Sequence, residues 1–407
     1  MAGKISTGFI ATVRTKFLSP FLYGAVAWTI VLVCYNFYWS DLLPQLSPEV
    51  FLFFVWFIFT LFLLFYFSRK LDFSFFIDFK KELKKCKTAF FLCFFMFVIE
   101  AVAAKGFPLL NIINGNFTYS YKTRFGLPVV HVVLNAVSLM YIAKSWTIYK
   151  FTKQKKFMIW TFVFFFPGVL TFTRSFIMYG ILYCIVISFS LKKWTLKTLP
   201  KTLGVIALLG ALVLFTFSVA GEVRMKNVSS GENYIEDLAK PSASFEKTEL
   251  SPVILWAYCY IATPLANLQN TINIYSENKN TDIDRFTVFF THFMPDMVNQ
   301  YIPKSSRKAK LIVPYFNVST IFADSFVCLG WIAMFYSVAG SCLLILCIYF
   351  IQHKKSIYSY LSFVFLSVIM FFNMFENMFN FMGTSPQFIL SVIFSFSWKK
   401  LVKVSAK

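Results

Sequence analysis

Residues 49–68 read EVFLFFVWFIFTLFLLFYFS, with one charged side chain, Glu49, at the edge of an aliphatic and aromatic run interrupted only by Thr60. At 1.5 Å per residue a helix over such a run is about 30 Å long, the thickness of a bilayer's hydrocarbon core. A helix that is apolar on every side has no use for water on any of them. The same texture recurs along the chain. Hydrophobic residues make up 58% of the 407 positions, charged residues only 14%, and the mean hydropathy is +0.66. Soluble domains carry about a quarter of their residues charged, so the expected solvent is lipid.

The apolar runs predict ten spans, over 20–39, 49–68, 88–105, 127–145, 157–171, 174–191, 202–220, 326–351, 357–375 and 384–398. The expected fold class is therefore all-α, a polytopic transmembrane helical bundle. It divides into spans 1–7 in residues 1–220, a large hydrophilic loop over 221–325, and spans 8–10 with a basic tail in 326–407. Within the loop, residues 251–272 (SPVILWAYCYIATPLANLQNTI) are apolar enough to suggest an eleventh span. Counting it as one would put Lys354 and Lys355 on the wrong side. The expectation is instead a helix in the interface or re-entering the bilayer, broken near Pro264.

Charge sets the orientation. With ten spans, the connections on the N-terminal side hold 25 of the 39 Lys and Arg but only 3 of the 18 Asp and Glu. By the positive-inside rule that side is the cytoplasm, with both termini on it. The formal net charge of +21 is then a topology signal and gives no ground for nucleic acid as a partner. The basic start, MAGKISTGFIATVRTKF, runs into the first span without a small-residue cleavage site, so that span is expected to serve as its own insertion signal. Seven cysteines lie in apolar runs or in the Lys-rich segment around Cys86, leaving Cys259 alone in the polar loop. No disulfide framework or metal spacing follows from them.

The two basic residue types are sorted. On the cytoplasmic side only Arg14 and Arg69 are Arg, whereas the outer side holds Arg124, Arg174, Arg224, Arg285 and Arg307. Lys satisfies topology, but guanidinium grips phosphate or carboxylate through two parallel hydrogen bonds. Arg174, in the short turn Thr171-Phe172-Thr173-Arg174-Ser175, has no long loop to lift it into water, and a permanent charge at that depth marks a site. The bland alternatives are solvated ion pairs for the loop Arg and simple snorkelling for Arg174. Carboxylates expected near the outer surface are Glu100, Glu222, Asp324 and Glu376. Glu222, Asp324 and His292 are the candidates for a catalytic acid or base, whereas His131, on an apolar face, fits a core histidine better. The run Lys304 to Lys310 is either a solvated loop or an anion-attracting rim. P-loop, HExxH, GxSxG and nucleotide-sugar DxD patterns are missing from the sequence, so an enzyme here would need a lipid-borne donor.

Ten spans with one dominant outer loop make the chain resemble the Wzy-type O-antigen and capsule repeat-unit polymerases. Thr173-Arg174-Ser175 looks like their small-residue-Arg-Ser/Thr element. Tyr260, Pro264, Asn267 and Leu268 look like a loop element, and Asn317 through Asp324 with Gly330 look like the stretch entering the next span. The Arg-x10-Gly signature of some members is replaced here, Arg174, Arg224 and Arg285 being followed by Ile185, Ile235 and Asp296. The resemblance implies a membrane-embedded glycosyltransferase of GT-C type in the bacterial inner membrane. Its donor and acceptor would be undecaprenyl-pyrophosphate-linked oligosaccharides, and it would need neither cofactor nor metal. Arg174, Arg224, Arg285, Arg307, Tyr260 and Asn267 would bind pyrophosphate and glycan, with membrane lipid and a chain-length regulator protein as further candidate partners. The same layout suits an O-antigen ligase, and a lipid-linked oligosaccharide flippase is the competitor from another class.

Overall fold

The computed structural model describes residues 8–68, 70–114, 125–127, 129–171, 173–192, 204, 234–276, 285–303, 305, 307–351 and 355–405. In chain order the elements are β1 (Gly8–Thr15), α1 (Pro20–Tyr35), α2 (Pro48–Phe67), β2 (Leu71–Asp78), α3 (Phe79–Ala103), α4 (Pro108–Ile113), α5 (Val130–Thr152), α6 (Lys155–Leu170) and α7 (Arg174–Ser190). There follow α8 (Tyr234–Ala239), α9 (Ala243–Glu246), α10 (Pro252–Tyr275), α11 (Arg285–His292), α12 (Asp296–Asn299), α13 (Ala323–Leu329), α14 (Trp331–Ile351), α15 (Ile357–Phe372) and α16 (Ser385–Ser405). The protein is thus largely helical. Among the described residues α2, α3 and α14 are long and apolar enough to cross a membrane, and α1, α7, α15 and α16 contain shorter apolar helices. The span expected over 202–220 lies outside the described residues, Gly204 excepted.

The bundle has two chemically different ends. At the Lys-rich end, Phe75 packs against Phe151 and Tyr360, and the Ser190 and Tyr360 hydroxyls meet at 2.6 Å. Sequence alone assigns 8–15 and 71–78 to plain connections. The chain instead pairs them as an antiparallel ribbon, Gly8 opposite Asp78 through Thr15 opposite Leu71. Its cause is the period-2 pattern of LDFSFFID, which puts Leu71, Phe73, Phe75 and Ile77 on one buried face.

Lys144, which sequence places at the start of a cytoplasmic loop, lies inside α5 and is fully buried. Its ammonium is 2.6 Å from Glu82 on α3 and donates to the Tyr358 hydroxyl on α15 at 3.0 Å. A buried charge needs such partners, and they let α5 continue to Thr152. α3 likewise begins nine residues before the expected span, capped by Asp78 accepting from the Lys81 amide.

At the opposite end the first connection meets the polar segments. The Trp39 amide donates to Tyr258, and the Ser47 amide to Gln269 eleven residues further along α10. α10 therefore lies across this end of the bundle. A break near Pro264 is the sequence expectation, but α10 runs unbroken for 24 residues. Proline removes one amide donor. Buried Ala262, Thr263, Leu265, Ala266 and Leu268 hold the helix on both sides of it. The expected span 326–351 is cut at Gly330, whose φ of 61° and ψ of −144° suit a residue without Cβ.

Candidate functional site

The connection between α15 and α16, Asn373-Met-Phe-Glu-Asn-Met-Phe-Asn380, folds on its own amides. Asn373 Oδ1 accepts from the Met378 amide at 3.0 Å and Asn377 Oδ1 from the Phe379 amide at 3.1 Å. Asparagine favours such turns because its side chain can replace a backbone acceptor. The turn is stitched to its neighbours. The Ile321 amide donates to Asn373 O at 3.0 Å, the Asp296 amide to Asn380 O at 2.9 Å, and Asn377 Nδ2 to His292 O at 2.7 Å.

These bonds bring three carboxylates, Glu376, Asp296 and Asp324, to one place. The Glu376 carboxyl is raised above the ordinary carboxylate range, first by loss of water around it and then by the charges of Asp296 and Asp324. Its side chain still reaches the surface. A carboxyl poised upward at an exposed rim fits proton transfer to or from a hydroxyl. Glu376 was legible by the reasoning applied to Arg174, as a charge in a short turn between two spans.

His292 does not fit the acid–base role that sequence gives it. It is 5% exposed, and burial pushes its pKa down to about 4. The Asn377 amide nitrogen makes its short bond, 2.7 Å, to the His292 backbone oxygen and lies 3.5 Å from Nδ1. A covered imidazole with a pKa that low is a poor base for a sugar hydroxyl.

Asp324 is exposed beside Glu376 and accepts from the Ala309 amide at 3.4 Å. The backbone of Arg174 opens α7 at this end, where Tyr179, little more than a turn later, packs on Phe372 and Phe381 and donates to Met378 Sδ at 3.6 Å. Arg285 is exposed at the first position of α11, about 10 Å along the axis from His292. The Arg307 guanidinium lies over the Tyr275 ring, 5.8 Å from its centre. Glu222, Arg224, Arg124 and Lys304 lie outside the described residues.

Asn267 has a different job from the one expected. It is fully buried, its Nδ2 donates to Phe316 O at 2.9 Å and Val318 O at 2.7 Å, and its Oδ1 accepts from the Ile312 amide at 2.8 Å. Both amide hydrogens and the oxygen are committed to holding residues 310–318 on α10. Tyr260 packs edge-on against Trp256 and Phe316 in the same layer.

A second polar group sits apart, between α3 and α5. Glu100, 1% exposed, receives His131 Nδ1 at 2.9 Å and the Leu127 amide at 3.2 Å, and His131 Nε2 meets Asn135 Nδ2 at 2.9 Å. Phe97 and Phe125 close on the imidazole edge-on. His131 is thus a hydrogen-bonded, half-buried histidine. Among the described residues no group of three or more His, Cys, Asp or Glu is placed to hold a metal ion.

No protein-family model, characterised protein or solved structure matches this chain.

Proposed function

We propose that this protein is a membrane-embedded glycosyltransferase that polymerises lipid-pyrophosphate-linked oligosaccharide repeat units at the face opposite its Lys-rich end. The observation that carries this reading is the upward-shifted Glu376 carboxyl, held with Asp296 and Asp324 at one end of an apolar bundle. Positive-inside orientation puts the Lys-rich end in the cytoplasm and Glu376 on the outer side, where lipid-linked glycans would be joined. Glu376 takes the proton from the acceptor sugar hydroxyl as that oxygen attacks the anomeric carbon of the donor. The bond from that carbon to the pyrophosphate oxygen breaks, and the guanidinium groups of Arg174 and Arg285 stabilise the departing lipid diphosphate.

The test is polymerisation of purified lipid-linked repeat units in detergent. Glu376→Gln should lower the rate about 10²- to 10⁴-fold at unchanged protein level. The wild-type rate should climb with pH through an ionisation above the ordinary carboxylate range, because the base works deprotonated and its pKa is raised. A Glu376→Gln enzyme with the wild-type rate would refute the assignment.

A further inference from the structure

α14 carries an exposed apolar stripe along its length, Ile332, Phe335, Leu343 and Phe350, the face that a span turns to lipid. Beside that stripe lies α11. The Tyr336 hydroxyl donates to Phe289 O at 3.0 Å, and the centres of the two rings are 3.8 Å apart. Four residues on, Phe293 lays its ring on Gly340, where an added Cβ would stand 2.5 Å from it. At 1.5 Å per residue these contacts fall about 8 and about 14 Å along α14 from its Trp331 end, which is the end opposite the Lys-rich one. α11 therefore runs down beside α14. Arg285 starts near the level of Trp331, and Phe293 arrives nearly halfway along a helix about 32 Å long.

The side chains follow this depth. Between Arg285 and Asp296 the chain has no Asp, Glu, Lys or Arg. Phe286, Phe289 and Phe290 are 70%, 45% and 43% exposed, and the rings of Phe286 and Phe290 stack on the side away from buried Val288 and His292. In water such a patch would stand uncovered, whereas in lipid it continues the stripe of α14.

The backbone follows it too. A helix that ends at membrane depth leaves carbonyls that water does not reach, so the protein must supply the donors. Three of the last four carbonyls of α11 receive one from a side chain: Phe289 O from Tyr336, Thr291 O from Asn299 Nδ2 at 2.8 Å, and His292 O from Asn377 Nδ2 at 2.7 Å. Asn299 Nδ2 also donates to Met294 O, beyond the helix end. The chain then comes back. The Lys310 amide reaches Thr271 Oγ at 2.9 Å, two residues along α10 from the Gln269 that meets Ser47 at the head of α2.

We infer that residues 285–299 form a re-entrant segment, which dips into the bilayer leaflet opposite the Lys-rich end and returns on the same side, with the Phe286 and Phe290 rings against the acyl chains of membrane lipid. Arg285 at its head stays level with the headgroups, where a cation is tolerated. Its other face holds the 373–380 turn through Asn377 and Asp296.

The experiment uses the full chain, one copy per nanodisc of phosphatidylcholine in which a fraction of the lipid carries a diazirine midway along an acyl chain. Illumination of the wild type, followed by mass spectrometry of its peptides, should find lipid adducts on 285–293 as well as on α14. A second readout is labelling by a membrane-impermeant maleimide, followed by mass spectrometry at the substituted residue. Thiolate forms poorly away from water, so Phe290→Cys should react at least about tenfold more slowly than Lys308→Cys, which is exposed in the following loop. Adducts confined to the long spans, or equal labelling of the two cysteines, would put α11 in water and overturn the re-entrant segment. Slow labelling without lipid adducts would mean that protein covers the Phe face, and overturns it as well. The crosslinking arm needs no substitution, so it decides the question even if Phe290→Cys fails to fold.

Discussion

Acid should loosen the end of this protein opposite its Lys-rich end through His292. The imidazole is buried, with a pKa lowered from 6.5 to about 4. Between those values the opened chain binds a proton that the native chain refuses, so stability falls as pH falls, at about 1.4 kcal/mol per pH unit. The stabilisation is complete above about pH 6.5, and about 3 kcal/mol is lost by the time pH reaches 4. Glu376 works in the opposite direction. Its raised carboxyl pKa makes the native state the better proton binder, so acidification through its range adds stability. The two are separated by comparing wild type with His292→Gln, which cannot titrate and leaves the backbone bond from Asn377 intact. Thermal unfolding in detergent at pH 7.5, 6.5, 5.5 and 4.5 should show the wild-type midpoint dropping with acid more steeply than the variant's. Parallel curves for the two proteins would mean that His292 is not held neutral by burial.

Two further outcomes are expected. Lys144→Met leaves Glu82 buried and short of its 2.6 Å partner, and should cost about 3–5 kcal/mol by chemical denaturation. Adding Glu82→Gln should restore part of that loss, and a double variant no more stable than Lys144→Met would contradict the pairing. Asn267→Ala removes three hydrogen bonds at once and should destabilise by about 2–4 kcal/mol. Amide exchange over 310–318 should rise in that variant, and unchanged exchange there would show that the clamp is unimportant.

The helices were largely legible because bilayer thickness and apolar run length constrain each other tightly. α2 matches its expected span to within a residue at each end, and α7 begins at the residue foreseen. What sequence misassigned were segments whose polar residues find partners far away in the chain. Lys144 looks like a loop residue until Glu82 and Tyr358 arrive from α3 and α15. Asn267 looks like a binding residue until the backbone of 310–318 occupies its amide. The ribbon of β1 and β2 was written in an alternating pattern, but its strands are more than fifty residues apart and neither half demands the other. His292 and Glu376 changed places as acid–base candidates for the same reason. Burial decides which of them titrates usefully, and burial is set by the stitching of 291–299 to 373–380.

The most direct test of the proposed polymerase activity is made in the producing cell. Deleting the gene and resolving the surface glycan by gel electrophoresis and mass spectrometry should reveal a single capped repeat unit, restored to long chains by the wild-type gene but not by Glu376→Gln. Complete loss of surface glycan would indicate a flippase, and polymer retained on the lipid carrier would indicate a ligase; either result would contradict the assignment of Glu376 to chain growth.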